Sequence, residues 1–273
     1  MDNPFDFVEK VVLVVGGTSG INRGIAEAFG RARARVAVIS RAQEKVDATV
    51  VALKQQGAAE ALGFTADVRE PEHLKNAVAA VHQKWGDFSL VVSGAAGNFP
   101  ALAMEMSPNG FRAVVDIDLL GTFHVMQAVY PFLQKPGASI INISAPQALI
   151  PMPAQSHVCA AKAGVDMITR TLALEWGAEG IRVNSIIPGP IEGTEGMKRL
   201  APTDAIRHAV KNSVPMQRMG TPDDIANACF FLASPMAAYI TGAILPVDGG
   251  WSQGGAAMMG AGLTELANKK RGP

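Results

Sequence analysis

The stretch Val11-Val12-Leu13-Val14-Val15-Gly16-Gly17-Thr18-Ser19-Gly20-Ile21-Asn22-Arg23-Gly24 decides the fold. A β-branched run leads into a glycine-rich turn, and the turn leads into a segment with apolar residues at helical spacing. Glycines let the backbone turn tightly and approach a pyrophosphate, whose charge the N-terminus of the following helix then meets. Glycine-rich turns also serve ordinary loops. Between a first strand and a first helix, however, this one favours a dinucleotide site built on Gly16, Thr18, Ser19, Gly20 and Ile21. Asn22 occupies the position where a third glycine is usual. Its side chain is expected to crowd the helix–strand contact or the pyrophosphate, although Asn tolerates unusual backbone angles better than most residues.

Working outward, the same alternation repeats. Strands are predicted at Val11-Val15, Arg35-Ile39, Gly63-Ala66, Leu90-Val92, Ser139-Ile143, Val183-Ile187 and Ile244-Val247. Helices are predicted at Gly20-Gly30, Gln43-Gln55, Pro71-Lys84, Pro108-Leu133, His157-Gly177 and Pro222-Ala233. Strands separated by helices imply an α/β fold, a single Rossmann-type doubly wound sheet of about seven parallel strands with helices on both faces. No linker divides the chain, so residues 1–273 are expected to form one domain. Residues 189–221 lose the rhythm and fill with Pro, Gly and charge, which suggests a substrate lid beyond the carboxyl end of a strand. The tail 254–273 reads as a mobile end or a partner-covering arm.

Composition narrows the function. Of 273 residues, 48% are hydrophobic and 18% charged, enough apolar material for a sizeable core. The formal net charge is zero, which gives no field for gathering nucleic acid. Two cysteines, Cys159 and Cys229, form neither a disulfide framework nor a metal knuckle, so no metal site is expected. No apolar run reaches the roughly 18 to 20 residues of a membrane span, and the acidic N-terminus does not read as a signal peptide. A cytoplasmic location follows as an expectation.

The second strand ends at Ile39-Ser40-Arg41, where NAD-preferring proteins usually carry a carboxylate for the ribose 2′-hydroxyl. A hydroxyl and a guanidinium suit a 2′-phosphate, because the Arg fork pairs with phosphate oxygens. Ser40 and Arg41 therefore point to NADP(H). Arg41 could also be a solvated loop residue; the missing carboxylate argues against that.

Beyond the turn, further pieces are Asp67-Val68, Ala95-Ala96-Gly97, Asn142-Ile143-Ser144, Lys162-Ala163-Gly164, Arg182-Val183-Asn184, Pro188-Gly189 and Val247-Asp248-Gly249-Gly250. With them the chain resembles the short-chain dehydrogenase/reductase family over nearly its whole length. The resemblance implies that Asp67 and Val68 hold the adenine and that Ser93 and Ala95 lie along the cofactor. It also implies that Pro188, Gly189, Ile191 and Thr194 line the nicotinamide, and that Lys162 binds the nicotinamide ribose. The family ordinarily has a Tyr four residues before that Lys, a Ser thirteen before the Tyr, and an Asn-x-x-Gly in the preceding helix. Here those positions are Val158, Ala145 and Asp118-Leu119-Leu120-Gly121. Ser93-Gly94 also replaces the family's Asn-Asn.

These departures bring a narrower resemblance, to 2,4-dienoyl-CoA reductases of the peroxisomal type. It is carried by Ala95-Ala96-Gly97-Asn98-Phe99, Asp116-Ile117-Asp118, His157 five residues before Lys162, Glu175-Trp176-Gly177 and Pro188 through Gly196. The mitochondrial type has a catalytic Tyr where this chain has Gln147. Hydride attack at the far end of a conjugated thioester yields a dienolate, which calls for a proton on carbon rather than a phenol for an alkoxide. A water held by Asp118 and Lys162 is the expected proton donor. Asn98, Phe99 and His157 are substrate-contact candidates, although His157 also reads as a structural histidine. Cys159 reads as a small apolar filler. Lys198, Arg199, Arg207 and Lys211 are solvated lid charges or contacts for CoA phosphates. The substrate partner implied is an acyl-CoA thioester, and the assembly implied is a homotetramer. Two other readings stay open: reduction of another carbonyl or conjugated substrate, and NADP(H) binding without turnover. The C-terminal Arg271-Gly272-Pro273 carries no peroxisomal address.

Overall fold

A computed structural model describes residues 3–254. Its first strand, β1 (Val11–Val15), is buried along its whole length. A continuous run of Val and Leu suits a strand covered on both faces, because neither row of side chains meets water. Around it stand β2 (Arg35–Ser40), β3 (Glu60–Thr65), β4 (Leu90–Ser93), β5 (Ser139–Ile143), β6 (Arg182–Pro188) and β7 (Ile244–Val247). All pairings are parallel, in the order β3-β2-β1-β4-β5-β6-β7.

Alternate residues of β1 feed two cores. Val11, Leu13 and Val15 pack with α3 (Pro71–Trp85), α5 (Gly121–Val129) and α6 (Ser156–Trp176). Val12 and Val14 pack with α1 (Gly20–Arg31), α2 (Gln43–Gln55) and α9 (Pro222–Ala233). Seven parallel strands with helices on both faces are as expected. The strand order reverses between β1 and β4, which opens a crevice at their carboxyl ends, the usual ligand site of such sheets. Among the described residues no helix is long and apolar enough to cross a membrane.

Three readings need correction. β3 starts before Gly63, because Gly63 lies mid-strand beneath α2, where a Cβ would meet Val46 Cγ1 at 2.4 Å. The segment 108–133 follows one helical path but changes geometry along it: α4 (Pro108–Val114), a π-helical turn (Val115–Leu120), α5, and a short 3-10 turn (Tyr130–Phe132). The lid region is not irregular throughout, since it holds α7 (Glu195–Leu200) and α8 (Asp204–Ser213). Both are capped by threonines, Thr194 and Thr203. Nearly all of the anticipated tail, residues 255–273, lies outside the described residues.

Candidate active site

A cleft of about 750 Å³ opens at the carboxyl ends of β1, β4, β5 and β6. At its centre Gly16 adopts φ +80°, and a Cβ there would lie 2.8 Å from the Ala95 nitrogen. Only glycine lets these backbones pass so closely. Ser19 caps α1 without a side-chain hydrogen bond, so the first-turn N–H groups of α1 have no side-chain partner at the cap. The first turn also lacks acidic residues. Together these features suit an anion. Buried polar atoms with no partner among the described residues, Asn22 Oδ1, Asn98 Oδ1 and Gln147 Oε1, belong to residues of the cleft wall. Groups of that kind are costly to bury unless a ligand or water meets them. The cleft thus fits a dinucleotide.

At one end of the cleft lie Ser40, Arg41, Asp67 and Val68. Thr18 Oγ1 donates to Ser40 Oγ at 2.8 Å and ties the glycine turn to β2. Thr18 itself faces an adjoining groove. Asp67 is forked by Arg69, which holds its carboxyl below the usual carboxylate range. Sequence reasoning missed Lys45, which lines both the cleft and the groove from the first turn of α2. The signal was available: a cation one turn past Arg41 can face the same phosphate. Ser93 is not brought to the cleft wall, because its side chain is enclosed within β4, and the wall begins at Gly94.

Asp118 and Lys162 meet deep in the cleft. Lys162 Nζ lies 3.3 Å from Asp118 Oδ2, and both side chains are almost fully buried. Asp118 Oδ1 accepts the Gly97 N–H at 2.7 Å, and Lys162 Nζ donates to the Ile143 carbonyl at 3.0 Å. The π-helical turn, the loop after β4, β5 and α6 thereby fix one ion pair. An ammonium has three N–H donors, and Ile143 takes one of them; Asp118 Oδ2 is an ion-pair neighbour without a hydrogen bond, so two donors remain. Val158 and Ala145, at the family's Tyr and Ser positions, also line the wall. Neither offers a proton.

Gly164, two residues after Lys162, packs against the π-helical turn. A Cβ there would come 2.7 Å from Leu119 Cδ1, so Gly164 lets α6 approach the π-helical turn. One turn beyond Lys162, buried Asp166 accepts from Ser185 Oγ at 3.1 Å. Burial pushes its carboxyl up, opposed by the Ser144 and Ser185 hydroxyls.

At the other end Asn98, Phe99, Gln147, Met152, Met197, Val210 and Trp251 form a mostly apolar wall. Pro188, Gly189, Ile191 and Thr194 run along its floor from β6. His157 is fully buried and not on the wall; Phe99 stands edge-on to its ring at 4.7 Å. Lys198 and Arg207 do not line the cleft: Lys198 pairs with Glu195, itself a cleft residue, and Arg207 with Asp204. Cys229 is buried, which pushes its thiol up. No group of metal-ligating residues occurs among the described residues.

The family model described as enoyl-(acyl carrier protein) reductase matches residues 15–252. The chain is 43% identical to the peroxisomal 2,4-dienoyl-CoA reductase, (3E)-enoyl-CoA-producing, of Arabidopsis thaliana, covering 92% of this chain and 88% of that one. It is 37% identical to a probable 2,4-dienoyl-CoA reductase, (2E)-enoyl-CoA-producing, of Bacillus subtilis, covering 89% and 96%. Among solved structures, a short chain dehydrogenase from Bacillus anthracis superimposes with a TM-score of 0.78 at 36% identity, covering 89% and 96%.

Proposed function

Because the chain belongs to the short-chain dehydrogenase/reductase family, and is therefore a nicotinamide-dependent oxidoreductase, we propose that it reduces 2,4-dienoyl-CoA thioesters with NADPH. The observation that carries the proposal is the buried Asp118–Lys162 pair on a cleft wall whose Tyr and Ser positions are Val158 and Ala145. A localised alkoxide would have no phenol to protonate it. A dienolate does not need one.

In this reading Gly16, Ser19, Gly20 and Ile21 cradle the pyrophosphate, while Asp67 and Val68 flank the adenine. Ser40, Arg41 and Lys45 meet the 2′-phosphate with two positive charges, the support for NADP(H) over NAD(H). Ala95 and Lys162 face the nicotinamide ribose, and Pro188, Gly189, Ile191 and Thr194 border the ring. The bound reduced coenzyme supplies a hydride to the far end of the diene. Asp118 Oδ2 and Lys162 Nζ hold a water between them, which gives its proton to the carbon beside the thioester and recovers one through Lys162. That protonation leaves the product double bond one position farther from the thioester, the outcome named for the Arabidopsis relative. The Asn98 amide carries N–H donors suited to the charged thioester oxygen.

The apolar wall and the segment 189–221 act as the lid over an acyl-CoA chain. Residues 1–273 work as one domain, cytoplasmic and homotetrameric, with exposed Phe123, Met167 and Leu174 supporting subunit contacts on α5 and α6. Light scattering tests the tetramer.

The deciding measurement is NADPH oxidation by purified protein with a short 2,4-dienoyl-CoA, against NADH, a simple ketone and a monoenoyl-CoA. Turnover confined to NADPH and the dienoyl thioester is expected. Asp118→Asn should lower kcat by about 100-fold or more while NADPH still binds, the range for loss of acid–base assistance. NADPH binding without turnover on any of these substrates overturns the substrate assignment.

A further inference from the structure

Asn22 replaces a glycine in the coenzyme turn, yet it crowds nothing. Its side chain is 8% exposed, and its Nδ2 donates to the Gly94 carbonyl at 2.6 Å. The space it uses exists because residue 94 has no Cβ. A Cβ at Gly94 would lie 2.3 Å from Asn22 Oδ1 and 2.4 Å from Nδ2. The two departures noted in the sequence, Asn22 in the turn and Gly94 after β4, are therefore one feature: a carboxamide strut joining α1 to the end of β4.

The strut also has a free end. Asn22 Oδ1 is buried, lacks a partner among the described residues, and belongs to a residue of the cleft wall. Its identity as oxygen is fixed by chemistry. Turning the amide over would set oxygen against the Gly94 carbonyl oxygen at the same short distance, two acceptors with no proton between them. An acceptor is thus presented at the coenzyme turn, and it selects its partner. Pyrophosphate oxygens are acceptors only and cannot meet it; a ribose hydroxyl can donate. Gly94 immediately precedes Ala95, beyond which Gly97 holds Asp118, so the strut abuts the half of the cleft that contains the Asp118–Lys162 pair.

We propose that Asn22 is a coenzyme-contacting residue whose Oδ1 accepts a hydrogen bond from a hydroxyl of the nicotinamide-side ribose, aligned by its bond to Gly94. The proposal rests on the reading of the cleft as a nicotinamide coenzyme site. It converts the lost third glycine from a defect into a specific contact.

Calorimetric binding of NADPH, with thermal unfolding of the unliganded protein as a folding control, tests it without any turnover. The comparison probe is adenosine 2′,5′-bisphosphate, which has the adenine, its ribose and the 2′-phosphate but no nicotinamide-side ribose. Asn22→Ala should weaken NADPH binding about tenfold and leave the bisphosphate within about twofold, ten in Kd being ~1.4 kcal/mol. Gly94→Ala should produce the same selective loss by displacing the carboxamide. The double variant Asn22→Ala, Gly94→Ala should be no worse than either single one, the non-additivity of a shared contact. If Asn22→Ala weakens both probes equally, the role is structural and the proposal falls. It falls equally if NADPH affinity is unchanged, or if Asn22→Gly binds NADPH more tightly. Failure of the unaltered protein to bind NADPH would instead overturn the underlying reading.

Discussion

At the scale of single residues, the coenzyme preference rests on what ends β2. Ser40 is tied to Thr18, and Arg41 and Lys45 stand exposed beside it on the cleft. A carboxylate at position 40 would repel a 2′-phosphate and offer acceptors to a 2′-hydroxyl. Ser40→Asp should therefore weaken NADPH at least about tenfold and raise the affinity for NADH; fluorescence titration with both coenzymes checks this. An unchanged preference would show that the side chain at position 40 does not face the 2′-phosphate. Arg41 was legible because it ends a strand at a known distance from the glycine turn. Lys45 was not singled out, because a Lys in the first turn of a helix looks like any solvated charge until its neighbours are known. Ser93 went the other way: a residue at a strand's end was assumed to reach the ligand, but pleating encloses that side chain and exposes the next residue.

Elements carry a different kind of information. The π-helical turn Val115–Leu120 interrupts a helix that periodicity alone reads as uniform, and it is the turn that holds Asp118. A wider turn shifts the register of side chains around the axis, and such turns recur at functional sites. Periodicity over so long a segment still averages to a helix, so a one-turn change stays invisible.

The entry to α9 is stabilised by a different local device. Thr221 and Asp224 form a capping box, and Arg218 forks the Asp224 carboxylate at 2.7 and 2.8 Å. These bonds hold the Asp224 carboxyl far below its ordinary value. A depressed carboxyl stabilises the fold above its unfolded pKa, and that contribution is lost as pH falls through the folded value. Asp224→Asn should therefore lower the melting temperature at neutral pH, by roughly 1 kcal/mol of stability. The gap should narrow progressively below about pH 4, the unfolded range of an Asp. A gap independent of pH in differential scanning calorimetry would mean that the charge contributes nothing.

Across the whole molecule, the site depends on how closely layers approach. Gly24 lets α1 meet Pro222 at the start of α9, where a Cβ would overlap Pro222 Cβ at 2.2 Å. Gly164 lets α6 meet Leu119 of the π-helical turn and so sets the spacing between Lys162 and Asp118. Gly164→Ala must push Leu119 aside, an overpacking cost of about 1–3 kcal/mol. The expected result is a lower melting temperature and a kcat loss larger than any change in NADPH affinity, because the displaced turn carries Asp118. Equal losses in both would place the damage elsewhere.

The sequence by itself determined the sheet, its helical cover, the glycine turn and the positions of Lys162 and Asp118. These are written in local patterns: alternation, helical spacing, and motifs a few residues long. Only the tertiary structure decided that Asp118 and Lys162 form one buried pair, that Asn22 is accommodated by Gly94, and that His157 is buried against Phe99 instead of lining the cleft. Each of those depends on atoms far apart in the chain brought within a few ångströms. A side chain's burial and partners are properties of the packed layers, and no local pattern carries them.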